Sequence, residues 1–150
     1  MVSVRQDPIT DLLDVNVWLA LADSDHTHHG VASTYWMEQE ASEVAFCRVS
    51  MMGFLRLITH AKVLSNPPSI RQAWTLYHQY RSNPHVMFLE EPPDFEACLE
   101  KLASGPFFAH RLWTDAQLAA LAITSGCRLV SFDADFQMFE GLNFRQLALT

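Results

Sequence analysis

Arg128-Leu129-Val130-Ser131-Phe132-Asp133-Ala134-Asp135-Phe136 is the stretch on which the fold turns. Residues 128–132 form the clearest strand pattern in the chain, a short apolar run that leads into Asp133. A run of this kind, with little polar alternation, marks a strand covered on both faces, as in a parallel sheet. Toward the N-terminus, Thr114-Asp115-Ala116-Gln117 has the form of a capping box, with Asp115 just after the N-cap. Leu118, Leu121 and Ala122 follow it, and Gly126 stops the predicted helix just before the strand.

The same alternation of helix and apolar strand runs through the rest of the chain. Ile9 to Val15, broken by Asp11 and carrying Asp14 near its end, reads as a buried strand, and Asn16 to Leu21 as a short helix. After a polar loop, His28 to Ala41 places Val31, Ala32, Tyr35 and Trp36 at helical spacing. Glu43 to Val49 is a second strand, and Ser50 is the expected N-cap of a helix through Met51, Phe54, Leu55, Ile58 and Ala61. Asn66-Pro67-Pro68 ends it, and Ser69-Ile70-Arg71-Gln72 is a capping box opening a helix with Trp74, Tyr77 and Tyr80. Val86 to Leu89 is a third strand, Pro92-Pro93 precede a helix through Phe95, Cys98, Leu99 and Leu102, and Phe144 to Leu149 is a weak final strand. Short strands alternating with helices predict an α/β fold, a three-layer α/β/α arrangement with a mostly parallel central sheet. No repeat or linker divides the chain, so residues 1–150 are expected to form a single domain.

Composition narrows the class. The chain is 49% apolar and 18% charged, with enough length for a core that needs no staples. Its mean hydropathy of +0.03 is high for a soluble surface and predicts apolar area covered by a partner. Cys47, Cys98 and Cys127 are odd in number and form no C-x-x-C pair, which argues for a reducing compartment and for packing roles. The start, Met1 to Pro8, is too polar for a signal core, and no apolar run is long enough to span a bilayer. A cytoplasmic protein is expected. The net charge of −7 runs against nucleic-acid binding, which draws on Lys and Arg. Carboxylates gathered at a metal site, or a basic partner, would offset that objection. Phosphate-binding G-x-x-x-x-G-K-[ST], serine-hydrolase G-x-S-x-G and dinucleotide G-x-G-x-x-G patterns are absent.

Three aspartates stand where ligands bind in such folds. Asp14 and Asp133 close apolar strands, and Asp115 opens a helix. In an open parallel sheet the strand C-termini and the helix starts above them line one edge. Carboxylates brought together there repel, and a hard divalent cation with oxygen ligands is the usual resolution. Each aspartate taken alone reads more readily as a turn former or a cap.

These residues also carry a resemblance. Leu12-Leu13-Asp14-Val15-Asn16-Val17-Trp18-Leu19 resembles the opening strand and helix of PIN-domain nucleases. The segment Ser50 to Thr59, with its Gly53-Phe54-Leu55-Arg56 core, resembles the second block of VapC-type toxins of bacterial toxin–antitoxin pairs. Residues 114–122 and 128–136 are similar to the third and fourth blocks, in the family's order, and His26, His28 and His29 followed by Ala32 and Trp36 resemble one branch. The resemblance implies that Asp14, Asp115 and Asp133 hold Mg²⁺ or Mn²⁺. It implies that Asn16 orients Asp14 or a water, and that Ser131 and Ser50 hydrogen-bond to support the carboxylates. Asp135 is either a reserve ligand or a turn acid. The second block departs from the family pattern: the expected acid aligns with Met51, or else Gly53, and Glu43 is a poor substitute.

Other candidates are weaker. The spacing of His26, His28 and His29 does not gather three imidazoles for zinc, and a loop and helix-start role fits better. His110 is a candidate for contact with the site or with RNA phosphate, against a structural role. Arg56 reads equally as an RNA contact or a carboxylate partner. Trp36, Trp74, Tyr77 and Tyr80 read as core or interface. The expectation is a metal-dependent endoribonuclease acting as the toxin of a toxin–antitoxin pair: the resemblance implies a homodimer and a cognate antitoxin, with tRNA or rRNA as substrate. The alternative is a PIN-like module that keeps partner binding and, with Met51 in place of the acid, cleaves little.

Overall fold

In the computed structural model, residues 9–38, 41 and 43–148 are described. The polar start, residues 39–40 and 42 near the expected end of the His28 helix, and Leu149 of the expected last strand lie outside them. The elements run β1 (Thr10–Leu13), α1 (Val15–Ala22), α2 (His29–Glu38), β2 (Glu43–Phe46), α3 (Arg48–Ile58), α4 (Ile70–Ser82), β3 (Val86–Phe88), α5 (Phe95–Leu102), α6 (Trp113–Ser125), β4 (Arg128–Ser131) and β5 (Phe144–Gln146). The five strands form one sheet in the order β3-β2-β1-β4-β5, and every neighbouring pair is parallel.

Successive side chains along a strand point to opposite faces. Leu12, Ala45 and Leu129 therefore join Phe95 and the apolar face of α6 in one core cluster. Leu13, Phe46 and Val130 join Trp18, Tyr35, Phe54 and Tyr77, from α1 to α4, in the other. This is the expected three-layer α/β/α arrangement, with α1–α4 on one face and α5–α6 on the opposite one. Trp18 anchors the first of these layers, its ring stacked on Phe46 with centroids 3.7 Å apart. Cys47 and Cys127 are buried and Cys98 is half-buried, all as free thiols. No helix among the described residues is long and apolar enough to cross a membrane.

Two helix starts differ from the sequence expectation. Ser50 is not the N-cap of α3; β2 ends at Phe46, and the extended Cys47 takes the capping position. Ser50 lies one turn further on, and its hydroxyl accepts from Cys47 N at 2.9 Å. Thr114 does not cap α6 either. A short 3-10 turn, His110–Leu112, runs directly into the helix, so Leu112 is the N-cap and no side chain caps it. The helix stops where Gly126 adopts the left-handed conformation, φ 67°. Ser69 and Gln72, by contrast, form the expected reciprocal capping box of α4.

Asp11, met in the sequence only as an interruption of the first strand, is fully buried. Parallel register places it opposite Arg128, whose Nε and Nη2 each donate to it at 2.8 Å, and the Tyr35 hydroxyl donates at 2.5 Å. Burial and the adjoining carboxylate push the Tyr35 phenol far above its ordinary range, so this hydroxyl stays a donor. A buried pair of this kind is costly to break, because removing one partner leaves the other charge uncompensated. Asp11→Ala is expected to lower stability by about 3–5 kcal/mol, measured by urea unfolding. Tyr35→Phe should cost less, about 1–3 kcal/mol, since Arg128 still satisfies the carboxylate.

Candidate active site

The sheet order puts a topological switch at β1, from which the chain proceeds to β2 on one side and β4 lies on the other. Clefts at the C-terminal edge of such a switch are the usual ligand sites of open α/β sheets. Asp14 directly follows β1 and caps α1, its Oδ1 accepting from Val15 N at 2.7 Å. Asp133 lies just beyond β4 and caps a second 3-10 turn, Ala134–Met138, its Oδ1 accepting from Asp135 N at 2.9 Å.

Ser131, the last residue of β4, ties these two together. Its buried hydroxyl donates to Asp14 Oδ2 at 2.7 Å and accepts from Asp133 N at 3.0 Å and from Asn16 Nδ2 at 3.2 Å. One donor and two acceptors are the full capacity of a hydroxyl. Asn16, two residues after Asp14, also points its Oδ1 toward Phe132 N at 3.5 Å.

Asp115 stands in the first turn of α6, where the helix dipole favours a negative charge. It is nonetheless pushed up to about 6, mainly by burial and then by the charges of Asp14, Asp133 and Asp135, with Arg111 acting in the opposite direction. Asp14 is also raised, chiefly by burial and further by Asp133, against the hydrogen bonds from Ser131 and Val15. The four carboxylates therefore feel one another across a common space. Among the described residues, no three His, Cys, Asp or Glu side chains are drawn together into a ready-made metal cage.

The other expected residues divide. Asp135 is at the rim, paired with exposed Arg111 at 3.3 Å. Ser50 gives its hydroxyl to Cys47 rather than to a carboxylate. Arg56 is exposed on α3 and His110 is exposed beside Arg111. Arg111 itself was missed by the sequence reading; its position four residues before Asp115 was the available signal. His28 stacks on Phe132 at 4.6 Å, next to Asp133, and His29 Nδ1 meets the Ala20 carbonyl at 2.7 Å, which fits the loop and helix-start role.

Met51 is buried among the apolar residues between the sheet and α1–α4, where a carboxylate would be desolvated. Gly53 is closed to an acid for a different reason. A Cβ there would stand 2.7 Å from Val15 Cγ2, so α1 and α3 touch through the missing side chain.

Residues 12–142 match the PIN domain family. The chain belongs to the PIN-domain family. It is 37% identical over 144 residues to ribonuclease VapC41 of Mycobacterium tuberculosis, covering 91% of this chain and 98% of that protein. Ribonuclease VapC31 of the same organism is 30% identical over 130 residues, covering 85% and 92%. Among solved structures, M. tuberculosis VapC20, described as a Sarcin-Ricin loop cleaving toxin, superposes with a TM-score of 0.64 at 18% identity over 89% of this chain and 98% of that one. VapBC2 from Rickettsia felis, bound to a DNA fragment from its promoter, gives 0.65 at 11% identity over 93% and 100%. At those identities the structures share the PIN fold with this chain.

Two outcomes follow from the crowding at this PIN-fold edge. A carboxyl raised above its unfolded value of 3.8 binds protons more readily when folded, so stability falls as pH rises from about 4 through about 6. In EDTA, Asp115→Asn should therefore raise Tm at pH 7, and the gain should vanish below pH 4, as read by thermal unfolding across that range. Gly53→Ala should cost stability beside Val15, yet gain about 1 kcal/mol of helix propensity once Val15→Ala has removed the contact, as read by a double-mutant cycle.

Proposed function

We propose that this chain is a metal-dependent endoribonuclease of the VapC type, holding Mg²⁺ or Mn²⁺ on Asp14, Asp115 and Asp133. The reading is supported by the placement of Asp14 and Asp133 at the switch point, joined through the Ser131 hydroxyl, with Asp115 near enough to be raised by both charges and no buried cation ion-paired with them among the described residues. The donor set is all oxygen, which suits a hard cation that keeps several waters. A divalent cation bound there supplies Lewis-acid polarisation of the phosphoryl group and a water of lowered pKa. The chain's own residues fix the geometry. Ser131 and Val15 N hold the Asp14 carboxylate by both oxygens, and Asp135 N holds one oxygen of Asp133. Asp115, poised near 6, accepts a proton or a cation with little reorganisation.

The relatives named ribonuclease VapC support RNA as substrate, and tRNA or rRNA is the class this reading takes. The toxin–antitoxin complexes among the similar folds support a cognate antitoxin and a toxin role. A groove of about 490 Å³ between α2 and α4, lined by Trp36, Met37, Leu76 and Tyr80, is apolar enough to seat a protein segment. Met37 is 77% exposed there. A homodimer is part of the same reading. The buried Met51 favours a second one, a PIN module that binds its partner and cleaves little.

An RNA panel assayed with Mg²⁺, Mn²⁺ or EDTA, on protein freed of any partner, separates the two. Cleavage should need the metal and be abolished by Asp14→Asn or Asp115→Asn. Ser131→Ala should cost about tenfold to a hundredfold in metal affinity or activity. Cleavage indifferent to EDTA would overturn the metal mechanism, and no cleavage by a folded, partner-free chain would favour the module.

A further inference from the structure

The stretch that leads into α6, Gly105-Pro106-Phe107-Phe108-Ala109-His110-Arg111-Leu112-Trp113, leaves two large aromatic side chains in solvent. Phe107 is 88% exposed, and Trp113, the first residue of α6, is 54% exposed. Phe108 is half-buried and packs against the core cluster that includes the apolar face of α6. Its ring meets the Trp113 indole with centroids 4.9 Å apart and planes at 76°. Leu112, directly before Trp113, is buried. The indole is therefore braced by Phe108 and carried on an anchored backbone, with about half of its surface open.

This ring adjoins the acidic site. Trp113 and Asp115 lie about 3 Å apart along α6 and about 200° apart around it. The indole thus stands beside the acids rather than over them, at the place of a neighbouring nucleotide. Arg111, two residues before Trp113, marks the rim: its Nη1 donates to Asp135 at 3.3 Å and its charge acts on Asp115. Arg111 and His110 are both exposed. In a chain of net charge −7 they set a positive charge and a hydrogen-bond donor next to an open aromatic ring. Aromatic rings interleaved with cations bind single-stranded nucleic acid, the rings taking bases and the cations phosphates. A protein partner suits the place less well. One that covers the acids would bring basic side chains, which Arg111 opposes, and the apolar groove between α2 and α4 lies in the other helical layer.

We propose that Trp113 is a stacking platform for an unpaired RNA base, on the nucleotide next to the phosphate at the acidic site. The placement along the RNA rests on the ribonuclease reading. The open indole face takes the base by stacking, which tolerates any sequence because every base has a π-face. Arg111 reaches the adjoining phosphate with guanidinium hydrogens that its contact to Asp135 does not use. An exposed pair of that kind is weak and is released at little cost.

The test uses the full chain in EDTA at low salt. It is titrated with pentaadenylate and with an abasic ribose-phosphate pentamer of equal charge, labelled for anisotropy, while unlabelled oligomers report through indole emission. Pentaadenylate should bind about fivefold or more tighter than the abasic chain and quench the emission. Trp113→Phe should remove the quenching due to Trp113 and keep the affinity within about threefold, since a flat ring remains. Trp113→Ala and Trp113→Leu should lower pentaadenylate affinity about fivefold to a hundredfold, to the level of the abasic chain, and leave binding of the abasic chain unchanged. Equal binding of the two oligomers by the unsubstituted chain would overturn the platform. So would a Trp113→Leu that binds as well as Trp113→Phe, or undiminished pentaadenylate binding by a Trp113→Ala whose thermal unfolding shows it folded; the last result would leave the segment to a protein contact. Binding is read without metal, so a failure of metal-dependent cleavage would remove the nuclease reading separately and leave the stacking to be judged by itself.

Discussion

The hydroxyl of Ser131 joins the two halves of the acidic site. It sits on the last residue of β4, with its single hydrogen directed to Asp14 and both lone pairs occupied by Asp133 N and Asn16. The carboxylate that ends β1 and the turn that follows β4 hold their spacing because one hydroxyl belongs to both. Backbone pairing supports it from below, since Asp14 N donates to Val130 O at 2.9 Å.

The two ends of β1 show how differently the same residue type is treated. Asp11, at the buried end, is neutralised by a two-pronged Arg128 and a tyrosine hydroxyl. Asp14, at the open end, meets other carboxylates and is raised by burial and by Asp133. A fold that depended only on stability would treat both ends in the first way. Among the described residues no buried basic side chain is ion-paired with Asp14, Asp115 or Asp133, a crowding that a bound cation would relieve. Arg111, whose charge acts on Asp115 in the opposite direction, is exposed and occupied with Asp135. Exposed pairs contribute little.

The gap in the second block has a packing cause. Where the family pattern places an acid, Met51 fills apolar space between the sheet and α1–α4, and Gly53 is held small by Val15. The segment serves the contact between α1 and α3, and the acids that remain come from β1, α6 and the turn after β4.

Much of this is legible in the amino-acid sequence itself. Apolar runs of four to seven residues between helical patterns predicted an α/β sheet, because only strands covered on both faces can be apolar throughout. The ordered blocks around Asp14, Asp115 and Asp133 pointed to the acids, and the Ser69–Gln72 and Gly126 signals marked helix ends because capping is a local interaction within a few residues. Other local signals misled. Ser50 and Thr114 had the composition of N-caps, yet a strand that ended early and a 3-10 turn moved the helix starts past them. What only the tertiary structure decided are the pairings between residues more than 100 positions apart, Asp11 with Arg128 and Ser131 with Asp14 and Asn16. Those depend on parallel register between β1 and β4, and register is a property of two distant segments brought side by side, which no local pattern encodes.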